Sequence, residues 1–141
     1  MDFRVSREAF LRVLTHVSSI VDSRSTIPIL SNIYIKCENN QIEIRSTDMD
    51  ISIREFVSAD STKNGEATVN SRILTDIIRK TKKNSIVKCK LEGNRLIINS
   101  DNSVFELNAL AADEFPKFVP LDPTNAFDLS IPQIKRLFNK T

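Results

Sequence analysis

One pattern is written three times in this chain: FRVSREAFLRVL at residues 3–14, ATVNSRILTDII at 67–78 and FDLSIPQIKRLF at 127–138. In each copy alternating apolar residues lead to a helix-capping residue, and apolar residues then recur at helical spacing. Phe3, Ala67 and Phe127 correspond, as do Val5, Val69 and Leu129, the caps Ser6, Asn70 and Ser130, and the helix residues Phe10, Leu74 and Ile134. Each copy predicts a short strand running into an N-capped amphipathic helix.

After the first two copies the pattern continues into strands. NIYIKCENNQIEIRS and then DISIREFV follow the first, and SIVKCKLEGNRLIINS and then SVFELNAL follow the second. Asn39-Asn40 and Gly93-Asn94 supply hairpin turns, and Ile42 and Ile44 answer Leu96 and Ile98. The unit is β-α-β-β-β, present twice and begun a third time.

Two such units suffice for one hydrophobic core. The expected fold is a single α+β domain at residues 1–122, with helices over 6–21 and 71–82 lying side by side on one face of antiparallel sheet. The third copy leaves no strands to cover Ile134, Leu137 and Phe138, so residues 123–141 are expected to begin a second domain of a longer protein.

Cys37 and Cys89 fall inside predicted strands and outside any Cys/His cluster, which predicts buried free thiols in a reducing cytosol. No apolar run has the ~18 residues of a membrane span, and Met1 leads into a strand instead of a signal peptide. A soluble, cytoplasmic protein is expected.

The formal charge of +2 is too small to make the whole surface a polyanion binder, so the placement of the charges matters. A helical wheel puts Leu74, Ile77, Ile78 and Thr81 on one face of the second helix and Arg72, Asp76, Arg79 and Lys83 opposite. On the first helix Phe10, Val13, Leu14 and Val17 form the core stripe, leaving Glu8, Arg12, Thr15 and Ser19 opposite with His16 beside them. The predicted strands and turns carry Glu38, Glu43, Asp48, Asp50, Glu55, Glu92 and Glu106. The helix side is therefore expected to be basic and the sheet side acidic. Such cations are either solvated or, on two adjacent repeat-related helices, a shared surface that touches phosphates and reads no bases.

Four segments carry a family resemblance. RSTIPILSNIYI at 24–35 resembles the R-P-T-x-P-I-L-x-N signature of the bacterial DNA polymerase III beta subunit, the sliding clamp. STDMDI at 46–51, LAADEFPKF at 110–118 and FDLSIPQIKRL at 127–137 are similar to that family's T-D segment, strand exit and second-domain opening, in the same order. The resemblance implies the clamp fold, in which three domains of doubled β-α-β-β-β units and two head-to-tail subunits form a homodimeric ring around duplex DNA. Helices line the hole, and the ring tethers the replicative polymerase without catalysis and without a cofactor. Polymerase and clamp loader would bind through domains outside this chain.

The resemblance places Arg24 on a DNA-contacting loop, where a guanidinium suits a phosphate, the alternative being a solvated arginine or one paired with Asp22. Arg12, Arg72, Arg79 and Lys83 join it by helix periodicity, while a lone His16 is read as a bystander. Phe105 and Leu107 match the family's subunit-joining edge, although both also fit an ordinary core strand. Ile73 stands beside that edge where some clamps carry a charge, implying a more apolar contact. Pro28 and Pro116 fit turn or strand-entry roles, and Asn32 and Asp48 are expected to brace turns.

Two other functions compete. Asp48 and Asp50, flanking Met49 on a predicted strand, share one face and would suit a magnesium-dependent nuclease, yet no third ligand or general base accompanies them. Gly65 and Gly93, both expected in loops or turns, are the chain's two glycines, which excludes a glycine-rich phosphate loop, and one histidine without G-x-S-x-G gives a triad no support. A free-standing interaction domain of clamp fold is the third reading, opposed by the unfinished third copy.

Overall fold

The computed structural model describes residues 1–21, 26–117 and 130–139. In the first unit β1 (Asp2–Ser6), α1 (Arg7–Ser18), β2 (Asn32–Glu38), β3 (Gln41–Thr47) and β4 (Ser52–Ser58) follow the expected order. In the second, β6 (Gly65–Asn70), α2 (Ser71–Lys80), β7 (Ile86–Glu92), β8 (Arg95–Ser100) and β9 (Ser103–Leu110) repeat it. The sequence did not signal β5 (Asp60–Lys63), whose residues DSTK have no apolar member. It continues β4 past a single residue, Ala59.

Both helices are shorter than expected, because local hydrogen bonds close their ends. Ser6 is extended at the start of α1 and its Oγ accepts from Ala9 N at 3.5 Å, while Ser19 Oγ turns back onto His16 O at 2.7 Å. Asn70 Oδ1 accepts from Ile73 N at 2.9 Å at the start of α2, and Thr81 Oγ1 donates to Ile78 O at 2.6 Å at its end. The third helix, α3 (Ile131–Asn139), opens with a reciprocal cap: Ser130 N donates to Gln133 Oε1 at 2.9 Å and Gln133 N to Ser130 Oγ at 3.4 Å. Ile131 and Ile134 are exposed on it, and the side chains of Leu137 and Phe138 lie outside the described residues, as do Phe127 and Leu129.

The strands form one continuous antiparallel sheet in the order β4-β3-β2-β6-β9-β8-β7-β1-β5. Each unit therefore lends its first strand to the other: β1 pairs with β7 (Val5 opposite Val87) and β6 with β2 (Val69 opposite Ile33). Because β4 and β5 are almost one strand yet lie at opposite ends of that order, the sheet curls back on itself. The Asn39-Asn40 hairpin has both φ angles positive, 54° and 57°, as a type I′ turn demands, and Gly93 turns the second hairpin at φ 59°.

The core is the one that the repeat implies. Phe3, Phe10, Leu14, Ile33, Ile35, Ile42, Ile44, Leu74, Ile78, Leu96 and Ile98 are fully buried, each contributing roughly 1.5–3 kcal/mol of transfer free energy. Cys37 and Cys89 are buried and free, and burial pushes both thiols up from their usual range, which makes them poor nucleophiles. Gly65 begins β6 instead of lying in a loop, and Met1 packs so close that a Cβ at this position would come within 2.8 Å of Met1 Cβ and N.

Candidate nucleic-acid interface

Hydrogen bonds at both ends hold α1 and α2 antiparallel. At one end Ser18 Oγ lies 2.6 Å from Ser71 Oγ and 3.1 Å from Thr75 Oγ1. At the other, Arg7 Nη2 donates to Arg79 O at 2.9 Å, capping the negative end of α2 with a buried guanidinium. Arg7 Nε is buried without a partner among the described residues. Glu8 accepts from Asn84 N at 2.8 Å, and this amide holds its carboxyl below the usual range.

The solvent face of this helix pair is basic. Arg12 on α1, Arg72 and Lys80 on α2, and Lys82 and Lys83 after it are exposed, with no acidic group within 4.0 Å among the described residues. Arg79 is exposed as well but pairs with Asp76 at 3.0 Å. Arg72 and Arg79 border a hollow of about 650 Å³ with Asn70, Ser71 and Ser18. Lys83 is on the turn beyond α2 and not on the helix itself, since Thr81 closes the last turn. Lys80 and Lys82 were missed by the sequence reading, although Lys80 follows Asp76 at i+4 on the wheel that selected Asp76 and Arg79. Arg24 lies outside the described residues. His16 does not join the basic face: its Nδ1 bonds Glu55 Oε1 on β4.

The sheet face is mixed and not acidic. Around β2 to β4, Glu43 binds Arg45 and, at 2.7 Å, Arg54; Lys36 binds Glu38 at 3.0 Å. Tyr34 donates to Glu66 Oε2 at 2.5 Å, and burial with that carboxylate pushes its phenol well above the usual range. Asn32 bridges strands instead of bracing a turn, its Nδ2 donating to Thr68 Oγ1 at 3.2 Å.

Of the residues expected at a subunit edge, Leu107 is a core residue at 7% exposure, and Phe105 is half-buried against the same core. Both point inward because β9 alternates, which places Val104 outward at 64%. The edge itself is open: β9 pairs with β8 over 103–108 but with β6 only at Leu110 and Ala109, leaving 103–108 free on one side. Ile73 stands on α2 at 50% exposure.

Asp48 and Asp50 lie on a turn and not on a strand. Met49 takes φ 79°, and Asp48 Oδ1 accepts from Asp50 N at 2.9 Å and Ile51 N at 2.6 Å. The Ile51 amide, then that of Asp50, holds the Asp48 carboxyl below its usual range. That carboxylate braces the chain reversal, as expected of it. No group of three His, Cys, Asp or Glu side chains placed to hold a metal occurs among the described residues.

The family model for the DNA polymerase III beta subunit, N-terminal domain, matches residues 1–119. The chain belongs to that family. A beta sliding clamp of Vibrio harveyi is 31% identical over all of this chain and 98% of that sequence. A beta sliding clamp of Pseudomonas aeruginosa is 30% identical over all of this chain, which spans 39% of its length. Among solved structures, the Caulobacter crescentus pol III beta matches with a TM-score of 0.82 at 34% identity, covering 84% of this chain and 32% of that one. The Pseudomonas aeruginosa DNA polymerase III subunit beta matches with a TM-score of 0.82 at 31% identity, over 87% and 33%. The fold is the α+β clamp fold, and the nuclease reading of Asp48 and Asp50 is not favoured. Among the described residues no helix is long and apolar enough to cross a membrane.

Proposed function

We propose that this chain is the N-terminal part of a ring-shaped sliding clamp that encircles duplex DNA and tethers a replicative polymerase, a non-catalytic processivity factor of the cytoplasm. The observation that carries it is the set of cations unpaired among the described residues, Arg12, Arg72 and Lys80 on two adjacent helices and Lys82 and Lys83 on the turn after the second, in a clamp-family domain. Arg24 and Arg79 complete the basic surface. Cations on helices alongside a duplex neutralise phosphates without reading sequence. Residues 1–122 form the first domain in this reading and 123–141 the start of the next. The open edge at 103–108, with Phe105, Leu107 and Ile73, joins a second subunit head to tail, and polymerase and loader bind elsewhere in the complete protein.

Fluorescence anisotropy of this chain against unrelated duplexes tests the DNA surface. If three to four cations touch phosphates, log affinity falls with log salt at a slope of about −3 to −4, roughly a hundredfold between 50 and 200 mM. Arg72→Ala with Lys80→Ala flattens that slope by about 2. Tight, sequence-selective or salt-insensitive binding refutes the assignment.

A further inference from the structure

The two units do not treat the helix-free faces of their sheets alike. Val5 corresponds to Val69 in the repeat, so the pair Arg4 and Lys88 on β1 and β7 corresponds to Thr68 and Tyr34 on β6 and β2. Over the second pair the chain lays its own cover: Phe115, 4% exposed, rests on the Tyr34 ring at 5.8 Å between centroids. Two exposed acids, Asp113 and Glu114, precede it. Over the first pair no such segment lies among the described residues, because β5 runs directly into β6 where the second unit has this segment.

The bare seat is built for charge. Asp60, Arg4, Lys88, Asn99 and Val104 follow one another across five strands. Arg4 and Lys88 are directly opposite on adjacent strands, a like-charge arrangement that destabilises a sheet. Neither side chain makes a hydrogen bond or an ion pair among the described residues. Ile86, 61% exposed, flanks them, and Arg4 and Ile86 border a hollow of about 510 Å³ beside Asp60. Two unpaired cations between exposed apolar side chains complement a ligand that is both acidic and apolar.

We propose that this face docks an acidic peptide segment of a partner protein that carries an aromatic residue, much as the other unit's face is covered by the acidic and aromatic residues Asp113, Glu114 and Phe115. The aromatic ring enters the hollow beside Ile86. The acids lie over Lys88 and Arg4, on the side away from Asp60, whose carboxylate repels them.

The probe is acetyl-Asp-Glu-Asp-Glu-Phe-Pro-amide, titrated into the ¹⁵N-labelled 141-residue chain at low salt. The amides of Arg4, Ile86, Lys88 and Asn99 are expected to shift and saturate, with a Kd of roughly 0.1–1 mM. Arg4→Glu with Lys88→Glu should weaken binding roughly tenfold, and the neutral pair Arg4→Gln with Lys88→Gln should weaken it less. A peptide with lysines in place of its acids, or serine in place of its phenylalanine, should bind more weakly. The proposal is overturned if no shift occurs at this face, if the shifts centre on Arg72 and Lys80, if the charge-reversed chain binds as well, or if a short duplex DNA shifts Arg4 and Lys88 before the helix cations.

Discussion

Leu107→Ala separates folding from assembly. Leu107 is 7% exposed, faces Leu96 across the β8–β9 ladder and shares its face with Phe105 and Ala109. Truncation removes about three carbons, or roughly 2.4 kcal/mol of transfer free energy at about 0.8 kcal/mol each. A residual cavity adds to this, and buried Leu→Ala changes span about 2.7–5 kcal/mol. The open flank of β9 lets neighbouring groups close in, so a cost near the lower end, about 2.5–3 kcal/mol, is expected. With a urea slope of about 1.5–2 kcal/mol per molar, the midpoint falls by about 1.5 M while the slope stays constant. Val104→Ser, at 64% exposure on the same strand, should stay within about ±0.5 kcal/mol. Circular dichroism of this chain in urea reads both. A Leu107→Ala midpoint within about 0.3 M of the parent would refute the core placement, and any ring lost in that variant could then be traced to a subunit contact.

Gly65→Ala brings a Cβ to 2.8 Å from Met1 Cβ and N, so either β6 shifts or Met1 leaves its buried place. Overpacking of this kind costs about 1–3 kcal/mol, or roughly 4–8 °C of Tm for a cost near 2 kcal/mol, and an unchanged melting curve would contradict the close approach. The lowered Asp48 pKa makes a stability contribution that is complete above the ordinary aspartate range, about 3.9, and is lost as pH falls through the lower folded value. Asp48→Asn keeps the acceptor oxygen and removes the titration, so its urea midpoint should fall less than the parent's between pH 6 and pH 2.5. Equal falls would show that the carboxylate is not the source.

Legibility followed the range of the interaction. The caps at Ser6 and Asn70 are local, and the alternation at Ile42/Ile44 and Leu96/Ile98 is a two-residue period, so both could be read directly. The β5 strand could not, because DSTK owes its pairing to Phe3 and Arg4 some 57 residues away. At Phe105 and Leu107 the alternation was visible, yet which face meets the core depends on how β8 and β9 pair. The Asp48 turn hinged on Met49 adopting φ 79°, a conformation its residue type does not announce. The basic helix surface was legible in Arg12, Arg72 and Arg79 from the wheel. The facing cations of Arg4 and Lys88 were not, since their adjacency exists only once β1 joins the other unit's sheet.

That exchange of first strands makes the halves interdependent. Each unit needs the other to complete its sheet, because one side of β1 is paired by β7 at residues 86–90 and one side of β6 by β2 at residues 32–37. Four of the eight strand pairings join distant stretches of chain, so loop closure precedes much of the reward and folding should be slow and all-or-none for its size. The same pairings could join two separate polypeptides, each giving its leading strand to the other. The geometry is therefore that of two small subunits related by approximate two-fold symmetry and joined end to end, with residues 59–65 as the seam.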